Sequence, residues 1–304
     1  MCTAGRWDIV EMNRYGSIMQ TSWDWRAAGN FMLGGAGSGL LFMAAIASFP
    51  DGPPRPVVFI ALALVGLGLF SVWLEIGRPW RFLHVFFHPQ TSWMTREAAV
   101  AVVLFLLSAT GIASNIPLLL DMAGIAAIAF LFCQGQMLKA CRGIPAWREP
   151  ALSLLIVVTG LCEGTAVLLM FHALQHEEVS AVLELAFLVF LAARVLSWLV
   201  YRKNLIRARA PEQALTALGK IHLFQIIPGN LLPALLVLLS TGMPEWAMSV
   251  QVTASLLALL SGWHMKFTIV TRAAQVQGYS LGRIRRGRPG IKPPVRRKPD
   301  RFVF

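Results

Sequence analysis

The sequence predicts an all-α integral membrane protein with eight transmembrane helices, and three observations carry that reading. The 304 residues are 56% hydrophobic and only 14% charged, whereas soluble domains are about a quarter charged. Eight apolar runs reach the roughly 20 residues that a spanning helix needs. The runs are continuous, whereas the strands of a membrane barrel would alternate apolar and polar positions.

In order, the spans are expected at 27–49, 57–75, 97–114, 116–138, 151–173, 179–201, 221–240 and 247–270. The first contains Gly34-Gly35-Ala36-Gly37-Ser38-Gly39. No Lys-Ser/Thr pair follows, so this is not a phosphate loop. Gly35 and Gly39 form a GxxxG pair that lets helix backbones approach closely, and Gly160 and Gly164 repeat it in the fifth span. The third run is short. The break after it is Ser114-Asn115-Ile116-Pro117, and proline suits the first turn of a new helix, so a tight hairpin is expected there.

Charge sets the topology. The N-terminus, the 75–96 turn, the 139–149 turn, the 202–220 loop and the C-terminal tail, with the basic ends of their flanking helices, hold every Lys and Arg except Arg55 and Arg194. The other side carries Arg55 with Asp51, Glu177, Glu178 and Glu245. The positive-inside rule then places both termini and the 75–97 turn in the cytoplasm, and an even number of spans agrees. Arg6, Arg14 and Arg26 are interleaved with Asp8, Glu11 and Asp24, unlike the short basic start of a secretory signal, so the first span is expected to be retained. The tail from Arg283 to Arg301 is rich in arginine, lysine and proline. It reads either as an orientation signal touching anionic lipid or as an arm for a soluble partner. The charge follows the membrane rule and leaves no recognition fold, so no nucleic acid is expected.

Metal chemistry finds little support. Cys2, Cys133, Cys141 and Cys162 are scattered and form no CxxC pair, whereas an iron–sulfur cluster needs convergent thiolates. Cys133 and Cys162 read as packing residues. A bis-histidine haem needs imidazoles facing each other from different spans. Of His172, His222 and His264, only the last two lie near the same face, so no haem and no metal are expected in this chain.

Two features suggest chemistry. Within the membrane, Glu163 and Arg194 fall at comparable depth, where ionisable groups are costly and face the bundle interior. They are expected to form either a buried ion-pair clasp or a step in a proton path. Glu184 and Asp121 lie nearer the outer face. The second feature is the turn EIGRPWRFLHVFFHPQTSWMTRE from Glu75 to Glu97. Two carboxylates, His84 and His88, three arginines and two tryptophans exceed what a connector needs. They suit a flat amphipathic molecule that arrives from the bilayer and exchanges protons, for which a quinone is the candidate. Glu97, favoured by the dipole of the helix it opens, which Thr95 would cap, would exchange the quinol proton together with Glu75 and His84. Arg78, Arg81 or Arg96 would hold a carbonyl, and Trp80 and Trp93 would give ring contacts, although tryptophan is also ordinary at membrane interfaces. The helix glycines, Gly35 and Gly39 included, would then be either packing residues or a smooth wall beside the quinone tail.

Gly77-Arg78-Pro79 with Arg81, and Thr91-Ser92-Trp93-Met94-Thr95-Arg96-Glu97, resemble the connection between the second and third helices of a known family. It comprises the membrane-anchor subunits of complex iron–sulfur molybdoenzymes, the DMSO-reductase anchor and polysulfide-reductase (NrfD-like) group. Gln20-Thr21-Ser22-Trp23-Asp24-Trp25-Arg26 and the glycine-rich first helix are similar to the branch serving phenylacetyl-CoA:acceptor oxidoreductase. The resemblance implies two four-helix bundles, a haem-free subunit and a quinone (ubiquinone or menaquinone) site beside the second and third helices, with a glutamate matching Glu97 in quinol binding. It also implies a docked four-cluster ferredoxin-like iron–sulfur subunit and a molybdenum or tungsten bis-pterin catalytic subunit. The DMSO-reductase branch has a histidine where Glu75 aligns.

The organisation expected is therefore a cytoplasmic segment at 1–26 and a first bundle at 27–138 carrying the quinone site. A connector at 139–149, a second bundle at 150–270 and a basic tail at 271–304 complete it. The chain would be a quinone-reactive anchor in a bacterial or archaeal cytoplasmic membrane. The rivals are a secondary transporter with its site at Glu163 and Arg194 and a haem-carrying cytochrome b-type subunit.

Overall fold

In a computed structural model the chain is described at residues 17–75, 79–176, 179–240, 242 and 244–276. The side chains of Pro79, Arg81 and Pro244 are outside that description, as are Gly77, Arg78 and the basic tail. The long helices are α1 (Trp25–Ala47), α2 (Arg55–Glu75), α3 (Trp93–Ser114) and α4 (Pro117–Ala140), then, after the short α5 (Pro145–Arg148), α6 (Pro150–Leu174) and α7 (Ala181–Arg207). The short α8 (Glu212–Lys220) follows, then α9 (His222–Ser240) and α10 (Ala247–Thr271). Among the described residues seven helices are long and apolar enough to cross a membrane. The eighth expected span coincides with the 25-residue helix α10, which is not one of those seven; Gln251, Ser255, Ser261 and Lys266 are buried along it.

Helix ends follow local chemistry. Ser92, extended in backbone, caps α3 by accepting from Thr95 N–H at 3.3 Å. Thr95 is therefore not the cap; its hydroxyl donates to Val85 O. The helix also begins at Trp93, before the apolar run expected from 97. The hairpin at 114–117 forms as expected: Asn115 takes a left-handed conformation (φ 54°) that ends α3, and Pro117 opens α4.

Helices α1 and α6 are the most buried and run through the centre. α1 packs on α6, α4 and α2, while α6 packs on α10, α7 and α4. The crossing of α1 and α6 depends on glycine. A side chain at Gly39 would strike the Gly160 carbonyl, and one at Gly164 would strike the Gly39 backbone, so both GxxxG pairs serve close helix contact. Around the crossing lies an apolar core including Leu40, Leu41, Leu131, Leu168, Phe187 and Cys162, each essentially excluded from solvent. Cys133 is also buried.

The segment before α1 pairs with the segment after α10. Ile18–Met19 forms β1, which pairs antiparallel with β2 (Gln275–Val276). The Gln20 amide donates to Trp23 O at 2.6 Å and Val270 O at 3.3 Å. Trp23 lies 4.9 Å from the Trp147 ring, whose indole N–H donates to Ile269 O at 2.8 Å. Asp24 caps α1 and pairs with Arg26 at 2.7 Å. That guanidinium, hydrogen-bonded to the carboxylate, holds the Asp24 carboxyl below its ordinary value. Arg26 also donates to Leu74 O at 2.8 Å, so the start of α1 and the end of α2 share one face of the bundle.

Candidate functional site

Helices α2 and α3 touch sparsely, and the space between them is a cavity of about 520 Å³. Leu69, Trp73, Phe105 and Leu106 line its walls, and Phe82 and Phe86 line one end. The two phenylalanines come from the 3-10 segment Pro79–Phe87, which packs on α3 and α2. The lining is apolar with one carboxylate, Glu97. A large apolar pocket with few convergent polar groups is the form small-molecule sites take.

Glu97 sits in the second turn of α3 and is only 5% exposed. Asn30 Nδ2 donates to its Oε1 at 2.9 Å, and Gln134 Nε2 donates to the Asn30 carbonyl at 2.9 Å. That carbonyl lies where α1 widens into a π-turn over Asn30–Gly34, and π-turns commonly occur at functional sites. Gly34 and Gly68 leave room for the Asn30 amide: a side chain at either would press on Asn30 Oδ1. The cavity thus has one buried carboxylate held by an amide network from α1 and α4.

The other residues expected at the turn are placed differently. Arg96 donates to Pro89 O at 2.8 Å and Gln90 O at 2.9 Å and stacks 4.2 Å over the Trp93 ring. It closes the turn, and Trp93 packs edge-on to Phe132 at 5.9 Å; neither lines the cavity. His84 is exposed beside Phe87, and Trp80 is 91% exposed. Glu75 ends α2 half-buried and is not part of the lining. Gly35 and Gly39 face the interior of the bundle, Gly35 beside Lys266. Arg78 and the Arg81 side chain lie outside the described residues. Asn30 and Gln134 escaped the sequence reading; the available signal was that each is a polar residue in an apolar span, where such groups are costly.

The intramembrane ion pair needs correction. Glu163 pairs with Lys266, Nζ to Oε2 at 2.6 Å, with both side chains fully buried. In the sequence Lys266 reads as one of the cytoplasmic flanking charges, because it lies near the end of its span. Arg194 instead donates to Asn230 Oδ1 and Ala258 O, each at 2.8 Å, to Ser261 Oγ at 3.3 Å, and to Gly229 O. It is close to Glu163 across Gly262, since a side chain there would meet Glu163 Oε1 and Arg194 Nη1 within 3.1 Å. Elsewhere His222 Nδ1 accepts from Trp198 Nε1 at 3.1 Å, and His264 lies edge-on to Phe224 at 5.4 Å.

No curated protein matches the sequence. A family model described as polysulphide reductase, NrfD, matches residues 13–277. That span covers every long helix, the α2–α3 cavity and the buried charge cluster. NrfD proteins are the membrane subunits of polysulfide-reductase-type oxidoreductases, generally partnered by an iron–sulfur subunit and a molybdenum catalytic subunit. With its apolar helices and a carboxylate-bearing cavity at one end of the bundle, the chain is a multi-pass membrane redox anchor and belongs to the NrfD family.

Proposed function

We propose that the chain binds a quinone in the α2–α3 cavity and exchanges electrons between it and a docked iron–sulfur subunit, beyond which a molybdenum or tungsten subunit does the substrate chemistry. The observation that carries this reading is Glu97, one buried carboxylate in an otherwise apolar cavity between two lipid-facing helices. A quinone head needs apolar walls for its ring and tail. It also needs a group at hydrogen-bond distance that accepts or donates the proton accompanying its reduction, which is general acid–base chemistry. Glu97 performs that exchange, and Asn30 fixes its orientation. Two four-helix bundles, α1–α4 and the long helices α6, α7, α9 and α10, fit this reading, with the quinone site in the first.

Charge bias supports a cytoplasmic location for the turn at 75–97 and hence for the docked partners. A cytoplasmic catalytic subunit suits substrates that stay in the cell, such as CoA thioesters, in keeping with the phenylacetyl-CoA oxidoreductase branch. The test is Glu97→Gln, which keeps size and hydrogen bonding but carries no proton. We expect decylubiquinol oxidation by membranes holding the assembled complex to fall at least 100-fold, at the lower end of the range for general acid–base groups. Wild-type turnover in the assembled variant would overturn the assignment.

A further inference from the structure

A second cavity, of about 310 Å³, lies at the end of the first bundle away from Glu97, where α1 ends and α4 begins. Ile46 of α1, Phe49 of the turn after it and Ile125 of α4 form its walls, and each is more than half exposed. On a helix bundle in a membrane, such a surface meets acyl chains. The groove floor lies where α1 and α4 touch, since a side chain at Gly124 would come within 2.6 Å of the Ala45 Cβ. Asp121 is the one charged residue in this lining. It follows Pro117 by four residues, about 6 Å along the helix at 1.5 Å per residue. The hydrocarbon core is about 30 Å thick in a bilayer of about 40–45 Å, so Asp121 stands near the level where headgroups give way to chains.

The chain itself leaves this carboxylate open. Asp121 Oδ1 is shielded from solvent and has no hydrogen-bond partner among the described residues. Arg55, the basic residue that the sequence assigns to this face, donates instead to Asn115 Oδ1. Helix capping does not account for Asp121. It lies beyond the first turn of α4, which carries no acidic residue, and the cap position is Ile116. Packing does not account for it either, because a desolvated carboxylate is costly unless it is paired. An ionisable group at this depth therefore points to a partner from outside the chain.

The surroundings select that partner. A primary ammonium carries three N–H donors, so it both neutralises Asp121 and hydrogen-bonds it, and rotation about the Cβ–Cγ bond offers either oxygen. A choline headgroup has no N–H to give. An anionic headgroup would be repelled, and not by Asp121 alone. A side chain at Gly52 would lie 3.1 Å from Pro117, so the turn carrying the exposed Asp51 adjoins the face of α4 that Pro117 shares with Asp121. A basic peptide would arrive from water, whereas this cavity opens between apolar side chains onto the bilayer.

We propose that the α1–α4 cavity is a lipid site for a phospholipid with a primary amine, of the phosphatidylethanolamine class. Its ammonium pairs with Asp121, and an acyl chain lies along the groove between Ile46, Phe49 and Ile125. The bound lipid closes the seam between α1 and α4. The site stands apart from the α2–α3 cavity and does not depend on what that cavity binds.

The test uses the full chain, purified and delipidated in detergent, titrated with palmitoyl-oleoyl phosphatidylethanolamine, phosphatidylcholine or phosphatidylglycerol and read by native mass spectrometry. One ethanolamine lipid should bind about tenfold more tightly than either of the others, a ratio that one charge-assisted hydrogen bond supports. Asp121→Asn keeps the size of the side chain but not its charge, and it should reduce that preference to about twofold or less. Its circular dichroism and its Tm without lipid should match the wild type, which separates loss of the lipid from loss of the fold. Ile46→Trp narrows the groove and leaves Asp121 in place, and it should weaken the ethanolamine lipid about fivefold. Equal binding of the three lipids by the wild type, or a preference that survives Asp121→Asn, would overturn the site. Undiminished binding in Ile46→Trp would overturn the placing of the chain in this groove.

Discussion

Glu163 and Lys266 meet at 2.6 Å with neither side chain exposed, and they come from two different helices, α6 and α10, that pack along the middle of the protein. Removing one member strands a buried charge, at a cost of about 3–5 kcal/mol, whereas removing both together is often near neutral. We therefore expect Lys266→Met and Glu163→Gln each to lower the unfolding midpoint of the purified chain in detergent, and the double variant to recover most of the loss. Strictly additive losses in that cycle would show that the pair is not coupled.

Arg194 should not tolerate lysine. Its guanidinium reaches Asn230, Gly229, Ala258 and Ser261 together, and an ammonium cannot match that planar set of donors. Hydrogen bonds to charged groups are worth about 1.5–3 kcal/mol each, so Arg194→Lys should destabilise by at least one such bond. Equal denaturation midpoints for variant and wild type would contradict the bonding scheme.

The glycine crossing makes a sharper comparison. Alanine at Gly39 or Gly164 would overlap the facing backbone, while nothing lies within 4 Å of a side chain at Gly143. Overpacking typically costs about 1–3 kcal/mol. Gly39→Ala and Gly164→Ala should each reduce the yield of folded chain and its thermal midpoint, and Gly143→Ala should change neither.

Sidedness can be read at described positions. Gly143 has open space around it, and Asp51 is exposed at the opposite end of the helices. In a C2S/C141S background, D51C should react with an impermeant maleimide added to intact cells, and G143C should react only after the membrane is opened. The reverse pattern would put the α2–α3 turn and its partners outside.

A pH effect is expected at the start of α1. Arg26 lowers the Asp24 carboxyl from its ordinary 3.8. The folded state therefore gains from this group above that value and loses the gain as pH falls through the depressed one. The side chain is 44% exposed, so solvent screening keeps the effect small. Hydrogen exchange at the Arg26 amide, which donates to Asp24 at 2.8 Å, should accelerate only below about pH 4 in the wild type. In Asp24→Asn it should show no such step.

Much of this was legible from the sequence because bilayer thickness dictates span length, and proline and asparagine punctuate the hairpin at 114–117. Glu97 was visible for the same reason: a carboxylate beside an apolar run requires an explanation. What escaped notice depended on contacts between distant segments. Lys266 looked like a flanking charge because span edges blur over a turn or two, and only the crossing of α6 and α10 shows that it faces Glu163. Arg194 is buried within α7, as its place in an apolar run suggests, but Glu163 bonds Lys266 instead, since depth in a span alone cannot tell two nearby cations apart. Asn30 and Gln134 are single polar residues whose significance arises only when α1 and α4 bring them to Glu97. Trp93 and Arg96 were expected at the ligand but are taken up in holding the turn closed.

The π-turn over Asn30–Gly34 has a consequence for how α1 can change. A π-turn accommodates one residue more than the α-helical register would, so the two halves of α1 are rotated relative to each other. The half before it leaves Trp25 exposed and sets Arg26 against the end of α2, while the half after it presents Gly35 and Gly39 to Lys266 and to α6. Tightening that turn to regular α geometry with the same number of residues would swing one half by about 100°, the turn of one residue in 3.6. The amide facing Glu97 and the glycines facing α6 could then no longer both be correctly aimed. The spacing between them is thus fixed in length as well as in composition.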